Sequence, residues 1–212
     1  MTIEVYADIA CPWCYVGRAR LKQALEQRPE RDVTLAWRPF QLQPDLPPEG
    51  RDFRSVLEDK FGGWDRAQRM FERIREVGAD EGLAFNFDAI EVAPNTADAH
   101  RLVLWGEEKN VGDALATTLF RAYFSEGRNV SDPTILAECA ADAGLDAEAA
   151  QTVLGGNAYA EAVRESQTRA ERRGITGVPC YVFDERHAVT GAQPVEVFLD
   201  ALDATAPSAR RT

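Results

Sequence analysis

The chain is poor in the residues on which whole classes of function depend. Only four cysteines and two histidines stand among 212 residues, too few for a disulfide framework and too scattered for a multi-ligand metal cluster. No apolar run approaches the ~20 residues needed to cross a bilayer. Positive charge is short as well: 24 Lys and Arg face 35 Asp and Glu, a net of -11. A surface of that sign repels phosphate backbones and anionic lipid, so neither nucleic acid nor a membrane is an expected partner. The start, MTIEVYADIACPWC, shows no basic n-region, no long apolar core and no small-residue cleavage site, and the expected location is the cytoplasm. Repeats and low-complexity tracts are missing too. What is present, 45% hydrophobic and 28% charged residues, is the composition of a globular protein with a sizeable core.

Periodicity divides the chain into three parts. TIEVYAD alternates apolar Ile3, Val5 and Ala7 and suits a strand. YVGRARLKQALEQR spaces Val16, Leu21, Ala24 and Leu25 as a helix, and DVTLAWRPF returns to a strand through Val33, Leu35 and Trp37. Strand, helix and strand in so short a span make a βαβ unit with a parallel pair and a right-handed crossover. Pro39, Pro44, Pro47, Pro48 and Gly50 then mark a loop leaving the sheet. From about residue 52 to residue 173 the pattern is almost all helical, as in Ala67, Met70, Phe71, Ile74 and Val77 or Leu115, Leu119, Ala122 and Tyr123. SDPTILAECAADAGLD carries helix punctuation in Ser131 or Asp132 as cap, Pro133 in the first turn and Gly144 at the end. Alternating Leu83, Phe85 and Phe87 predict an extended interruption. Strand signals resume at Cys180 to Phe183, with DERH a turn and AVTG a second short strand. QPVEVFLDALDA closes as a helix through Val195, Phe198, Leu199 and Leu202.

The predicted class is therefore α/β: a thioredoxin fold, βαβ–ββα, with a large all-helical domain inserted between its halves. Residues 1–50 and 174–206 would form the discontinuous thioredoxin-like domain, and 51–173 the helical insert. APSARRT at the end is expected to fray.

Two of the four cysteines fall together in IACPWCYVG, between the first strand and the first helix. Cys11 would occupy the helix cap with Pro12 at the first helical position, where a missing N–H costs nothing. The unpaired N–H groups and the positive end of the helix dipole then face the Cys11 sulfur and favour a thiolate there. Cys14, one turn on, lies on the same face and within bridging range. Cys11 becomes an exposed nucleophile and Cys14 a buried resolving thiol, a pair suited to exchange through a mixed disulfide. Structural zinc needs four ligands, whereas Cys139, Cys180, His100 and His187 each stand alone, so no metal is expected. A purely structural bridge between adjacent turns would close a tiny loop and constrain little.

A second signal, GITGVPCYVF, puts Val178-Pro179 at the start of a strand, where proline is tolerated and a cis bond is cheap. Taken together, CPWCYVGRARL, WRPFQLQPDLPPEG, PNTADAHRL, LFRAYFSEGRNVSDP, GITGVPCYVF and VTGAQP resemble the FrnE-type branch of the DsbA-like thiol–disulfide oxidoreductases, over about residues 3 to 204. The resemblance implies a CxxC dithiol facing a cis-proline loop: Cys11 attacks, Cys14 resolves and Pro179 is cis. Val178 would offer backbone groups to an extended substrate strand, and Pro12 and Trp13 would line the same contact. It further implies an enzyme that oxidises, reduces or isomerises protein thiols without a bound cofactor. Its partners would be thiol- or disulfide-containing clients, or glutathione as redox partner. Related glutathione-dependent 2-hydroxychromene-2-carboxylate isomerases and kappa-class transferases, which carry a serine where Cys11 stands, are an alternative, and the retention of both cysteines argues against it. A chaperone-like client-binding protein is an alternative of another class.

One residue departs from that pattern, Cys180 directly after Pro179. It is expected either as a small buried residue or as a third thiol exchanging with Cys11, with the Cys11–Cys14 bridge dominant on oxidation. Cys139 reads as core, and His187 as a surface turn. His100, behind an expected Asn95 cap with Asp98 three residues on, is expected to satisfy a local hydrogen bond or to tune the thiol. Asp8 lies three residues before Cys11, where a carboxylate would either raise a thiol pKa or accept a proton during resolution. Trp37, Phe40, Trp64, Trp105, Phe120 and Phe124 are expected as packing, some of them lining an apolar client groove.

Overall fold

A computed structural model describes residues 1–205; the expected frayed end, 206–212, and the last position of the closing unit 174–206 lie outside them. The apolar alternation at the start forms β1 (Thr2–Ala7), followed by α1 (Pro12–Glu26) and β2 (Thr34–Pro39). Ile3, Val5 and Ala7 turn one way, and Glu4 and Tyr6 the other. β1 pairs in parallel with β2, Val5 opposite Trp37, as a helical crossover requires. At the far end come β5 (Cys180–Phe183), β6 (His187–Thr190) and α9 (Val195–Ala204). β5 lies antiparallel to β1 and β6 antiparallel to β5, giving the sheet order β2-β1-β5-β6. α1 and α9 cover one face, with the Tyr181 ring edge-on to Phe198 at 5.0 Å. This is the expected thioredoxin arrangement, with the other helices between its halves in sequence.

Those intervening elements are β3 (Arg51–Asp52), α2 (Phe53–Phe61), α3 (Trp64–Asp80), β4 (Val92–Ala93), α4 (Ala97–Glu108), α5 (Gly112–Phe124), α6 (Pro133–Asp142), α7 (Ala147–Gly155) and α8 (Ala160–Arg172). Asp132 caps α6 by accepting from the Thr134 N–H at 2.7 Å, with Pro133 in the first turn. Two expectations need correction. Leu83, Phe85 and Phe87 do not continue a strand: Phe87–Ala89 is a 3₁₀ turn, and the Asn86 N–H donates to Phe124 O at 2.7 Å. Phe85 and Phe87 are both buried in one aromatic cluster, so alternation was the wrong sign. Nor is 51–173 all-helical as expected: β4 forms there and pairs with β3 in a separate two-stranded sheet.

The core runs without interruption from the sheet into the intervening helices. On α1, Tyr15 stacks on Phe120 of α5 at 5.2 Å and meets Phe85 edge-on at 5.7 Å. Arg18 grips Asp113 with two hydrogen bonds, 2.8 and 2.5 Å, and Arg20 pairs with Glu81 at 2.5 Å while donating to Ala192 O. The helix carrying both cysteines is thereby held from three directions. On the opposite sheet face Glu4 accepts from Arg38 at 2.8 Å and from Arg173. Among the described residues no helix is long and apolar enough to cross a membrane.

Along β2, Glu107 reaches over from α4 and accepts the Trp37 N–H. Burial pushes the Glu107 carboxyl above its usual value, against the opposing pull of that N–H and of Arg38. Its ionisation therefore opposes folding once pH passes the ordinary glutamate value. Glu107→Gln keeps an acceptor and removes the charge. Its thermal midpoint is expected to rise by a few degrees at pH 7 and to match the parent at pH values below the glutamate range. An unchanged midpoint at pH 7 would contradict this.

Candidate active site

Cys11 sits at the N-cap of α1 with extended backbone, φ -100° and ψ 111°, and Pro12 begins the helix. Its own N–H donates to Asp8 O at 3.0 Å and its carbonyl accepts from Cys14 N at 3.0 Å. These bonds turn the chain sharply from β1 into α1. Both thiols are free, and the expectation of an exposed Cys11 needs correction: it is buried at 5% exposure, against 1% for Cys14. The Cys11 thiol points at Val178 O, 3.8 Å away, and the Val178-Pro179 peptide is cis. Residues 167 positions apart in sequence thus form the two sides of one site. Pro12, Trp13 and Val178 are half-buried around it and Pro179 is buried.

Burial, first of all, and then the hydrogen bond and repulsion from Cys11 push the Cys14 thiol well above its usual value; the Asp8 backbone works against this. Cys14 thus holds its proton in the resting dithiol, as a resolving thiol needs to until its partner is engaged.

Behind the dithiol lies a buried polar chain drawn from three segments. Asp8, 1% exposed, accepts the Leu42 N–H at 2.7 Å and the Ala10 N–H at 3.2 Å. Burial alone would raise its carboxyl; His100, the Leu42 N–H and Thr96 outweigh that and hold it below the ordinary aspartate value. His100 Nε2 is 3.4 Å from Asp8 Oδ1, without a well-aligned hydrogen bond. Its Nδ1 accepts from Trp37 Nε1 at 3.3 Å. An indole can only donate, so in the neutral ring the proton lies on Nε2, toward Asp8. Trp37, expected as packing or groove lining, therefore selects a histidine tautomer.

Other expected residues lie apart. Cys180 turns to the sheet face opposite Tyr181 and packs with Tyr6, Phe40 and Ala170, as strand alternation requires. Burial raises its thiol. Cys139 is fully buried in α6, and burial pushes its thiol up to about 11. His187 is exposed at the start of β6. Asn95 is not the cap of α4: Thr96 holds that position, and Asn95 instead accepts the Ala97 N–H at 3.0 Å while donating to Leu46 O. Asp98 turns to Arg101 rather than back to a capping box.

A groove of ≈ 410 Å³ is lined by Leu42, Leu46, Arg51, Val56, Asp59 and Lys60; Asp8 and Ala10 line a smaller cavity of ≈ 60 Å³ that shares Leu42, Val56 and Lys60 with it. A cavity of ≈ 490 Å³ lies along β2 by Val33, Leu35 and Glu107; Cys11 and Cys14 line none of the three. Among the described residues no three His, Cys, Asp or Glu side chains converge as a metal site.

The pattern of the DSBA-like thioredoxin domain matches residues 2–203. The probable DsbA oxidoreductase SCO1869 from Streptomyces coelicolor is 38% identical, with TM-score 0.90 over 100% of this chain and 92% of that one. The uncharacterized protein YwbO of Bacillus subtilis is 29% identical over 202 residues, 94% of each chain. A 2-hydroxychromene-2-carboxylate isomerase from Sphingobium xenophagum is 23% identical over 189 residues, 87% of this chain and 90% of its own.

Proposed function

The chain belongs to the DSBA-like thioredoxin domain family, and from that premise we propose that it exchanges thiols and disulfides on protein clients through Cys11 and Cys14. The observation that carries this reading is the Cys11 sulfur at the head of α1, facing the Val178 carbonyl, with buried Cys14 one turn behind. In the reducing direction the Cys11 thiolate attacks a client disulfide, releasing one client sulfur and forming a mixed disulfide. Cys14 then attacks Cys11, the second client sulfur leaves, and the dithiol ends oxidised by two electrons. In the oxidising direction the same steps run backward. An extended client strand lies along Val178 and Pro179, against Pro12 and Trp13, with the Leu42–Val56 groove taking apolar side chains.

Six ordered motifs support the FrnE-type branch, and 51–173 is read as the helical insert. No cofactor is needed, and glutathione serves as redox partner. Cysteines too few for a disulfide framework support work in the cytoplasm. Catalysed reduction of insulin and reactivation of scrambled ribonuclease test the reading; a parent chain inactive in both would refute it.

The isomerase relative favours a second reading, in which a bound glutathione thiol does the chemistry. Turnover of a chromene-type substrate that requires glutathione and survives loss of Cys14 would establish it. Full suppression of client aggregation by the Cys11→Ser, Cys14→Ser double variant, in a parent without exchange activity, would favour a chaperone instead.

A further inference from the structure

Tyr181 is fully buried, and its hydroxyl has no hydrogen-bond partner. Buried phenols are ordinarily bonded, so an orphaned one asks for an acceptor that is absent in the resting state. Its place is well defined. The oxygen stands 2.5 Å from where a Cβ on Gly17 would be, and Pro179 Cγ and Ala192 Cα lie 3.2 and 3.3 Å from the same point. Any side chain at position 17 would evict it.

Gly17 follows Cys14 by three residues on α1, and side chains at that spacing stand roughly 5–6 Å apart on one helix face, leaning toward the N-terminus. The hydroxyl thus lies on the face of α1 that carries Cys14, beneath Pro179. Strand alternation puts Tyr181, not Cys180, on this side of the sheet. Burial, and then the charges that Cys14 and Cys11 would carry, raise the phenol well above its usual value; Arg18 offsets this in part. The phenol therefore keeps its proton and acts as a donor.

We propose that the Tyr181 hydroxyl donates a hydrogen bond to the Cys14 sulfur when that sulfur becomes a thiolate, and so speeds resolution of the mixed disulfide. The inference rests on Cys11 and Cys14 being the reacting dithiol. In that step Cys14 loses its proton, which the departing client thiolate regains in net terms. The Cys14 electron pair forms the bond to Cys11, and the bond from Cys11 to the client sulfur breaks. Tyr181 gives up nothing; it lowers the cost of charge on a buried sulfur.

Tyr181→Phe tests this in the full chain, with glutathione disulfide as probe and rapid quenching to separate attack by Cys11 from resolution by Cys14. Resolution is expected to slow about tenfold, the loss of one charge-assisted hydrogen bond, with the mixed disulfide accumulating. Attack by Cys11 should stay within about twofold of the parent. The unfolding midpoint should hold or rise, because the variant removes an unpaired polar atom. Resolution within about twofold of the parent would overturn the proposal. So would equal slowing of both steps with a lowered midpoint, which would mark Tyr181 as packing alone. A parent that never forms a mixed disulfide at Cys11 would instead remove the dithiol reading, and this inference with it.

Discussion

Cys11→Ser is expected to lower turnover of a disulfide substrate at least about a thousandfold, since a serine hydroxyl is barely ionised at neutral pH and is a poor nucleophile toward sulfur. The matching change at the second position gives a different phenotype. Cys14→Ser retains the attacking sulfur and loses the resolving one, so a client is held as a stable mixed disulfide. Non-reducing gels with mass mapping would show that adduct in Cys14→Ser and not in Cys11→Ser. The reverse pattern would exchange the two roles. Adducts mainly through Cys180 would contradict its position on the opposite sheet face.

The second large effect concerns stability rather than chemistry. Arg101 is 6% exposed, and its guanidinium closes the end of α7. It donates to Ala158 O at 2.7 Å, Gly156 O at 2.6 Å, Leu154 O at 3.4 Å and Val153 O, and pairs with Asp98 at 2.7 Å. Carbonyls at a helix C-terminus have no partner within their own helix. The negative end of the dipole also favours a cation there. Arg101→Met keeps much of the aliphatic stem and strands those acceptors. A loss of about 3–5 kcal/mol is expected in urea unfolding, a large share of the 5–15 typical of a domain. A loss under about 1 kcal/mol would mean that water replaces the guanidinium at little cost.

The arginine also shows where sequence reading ends. Strands β1, β2 and β5 and helices α1 and α9 were legible because period two and period 3.6 are local signals, and CPWC announced its chemistry by lying between a strand and a helix. Phe85 and Phe87 misled because burial on both sides of a turn imitates strand alternation. Asn95 stood one residue before the true cap, a shift that spacing cannot register. The Asp8–His100–Trp37 chain joins three segments, and no local pattern in any of them reports the other two. Tyr181 was within reach: two residues past Pro179, alternation places its side chain toward α1, but a tyrosine in a strand reads as ordinary core.

The clamps on α1 bear on which substrates the site admits. Tyr15 is stacked on Phe120, Arg18 is locked to Asp113 and Arg20 to Glu81, so the helix has little freedom to present its sulfur outward. Cys11, 5% exposed, lies recessed beside Val178. On the proposed chemistry, the shape change needed for contact must come from the incoming molecule. Compact proteins with sequestered disulfides are poor guests for such a recess. Loose chains and small thiols suit it, and the site discriminates between substrates by how easily they deform.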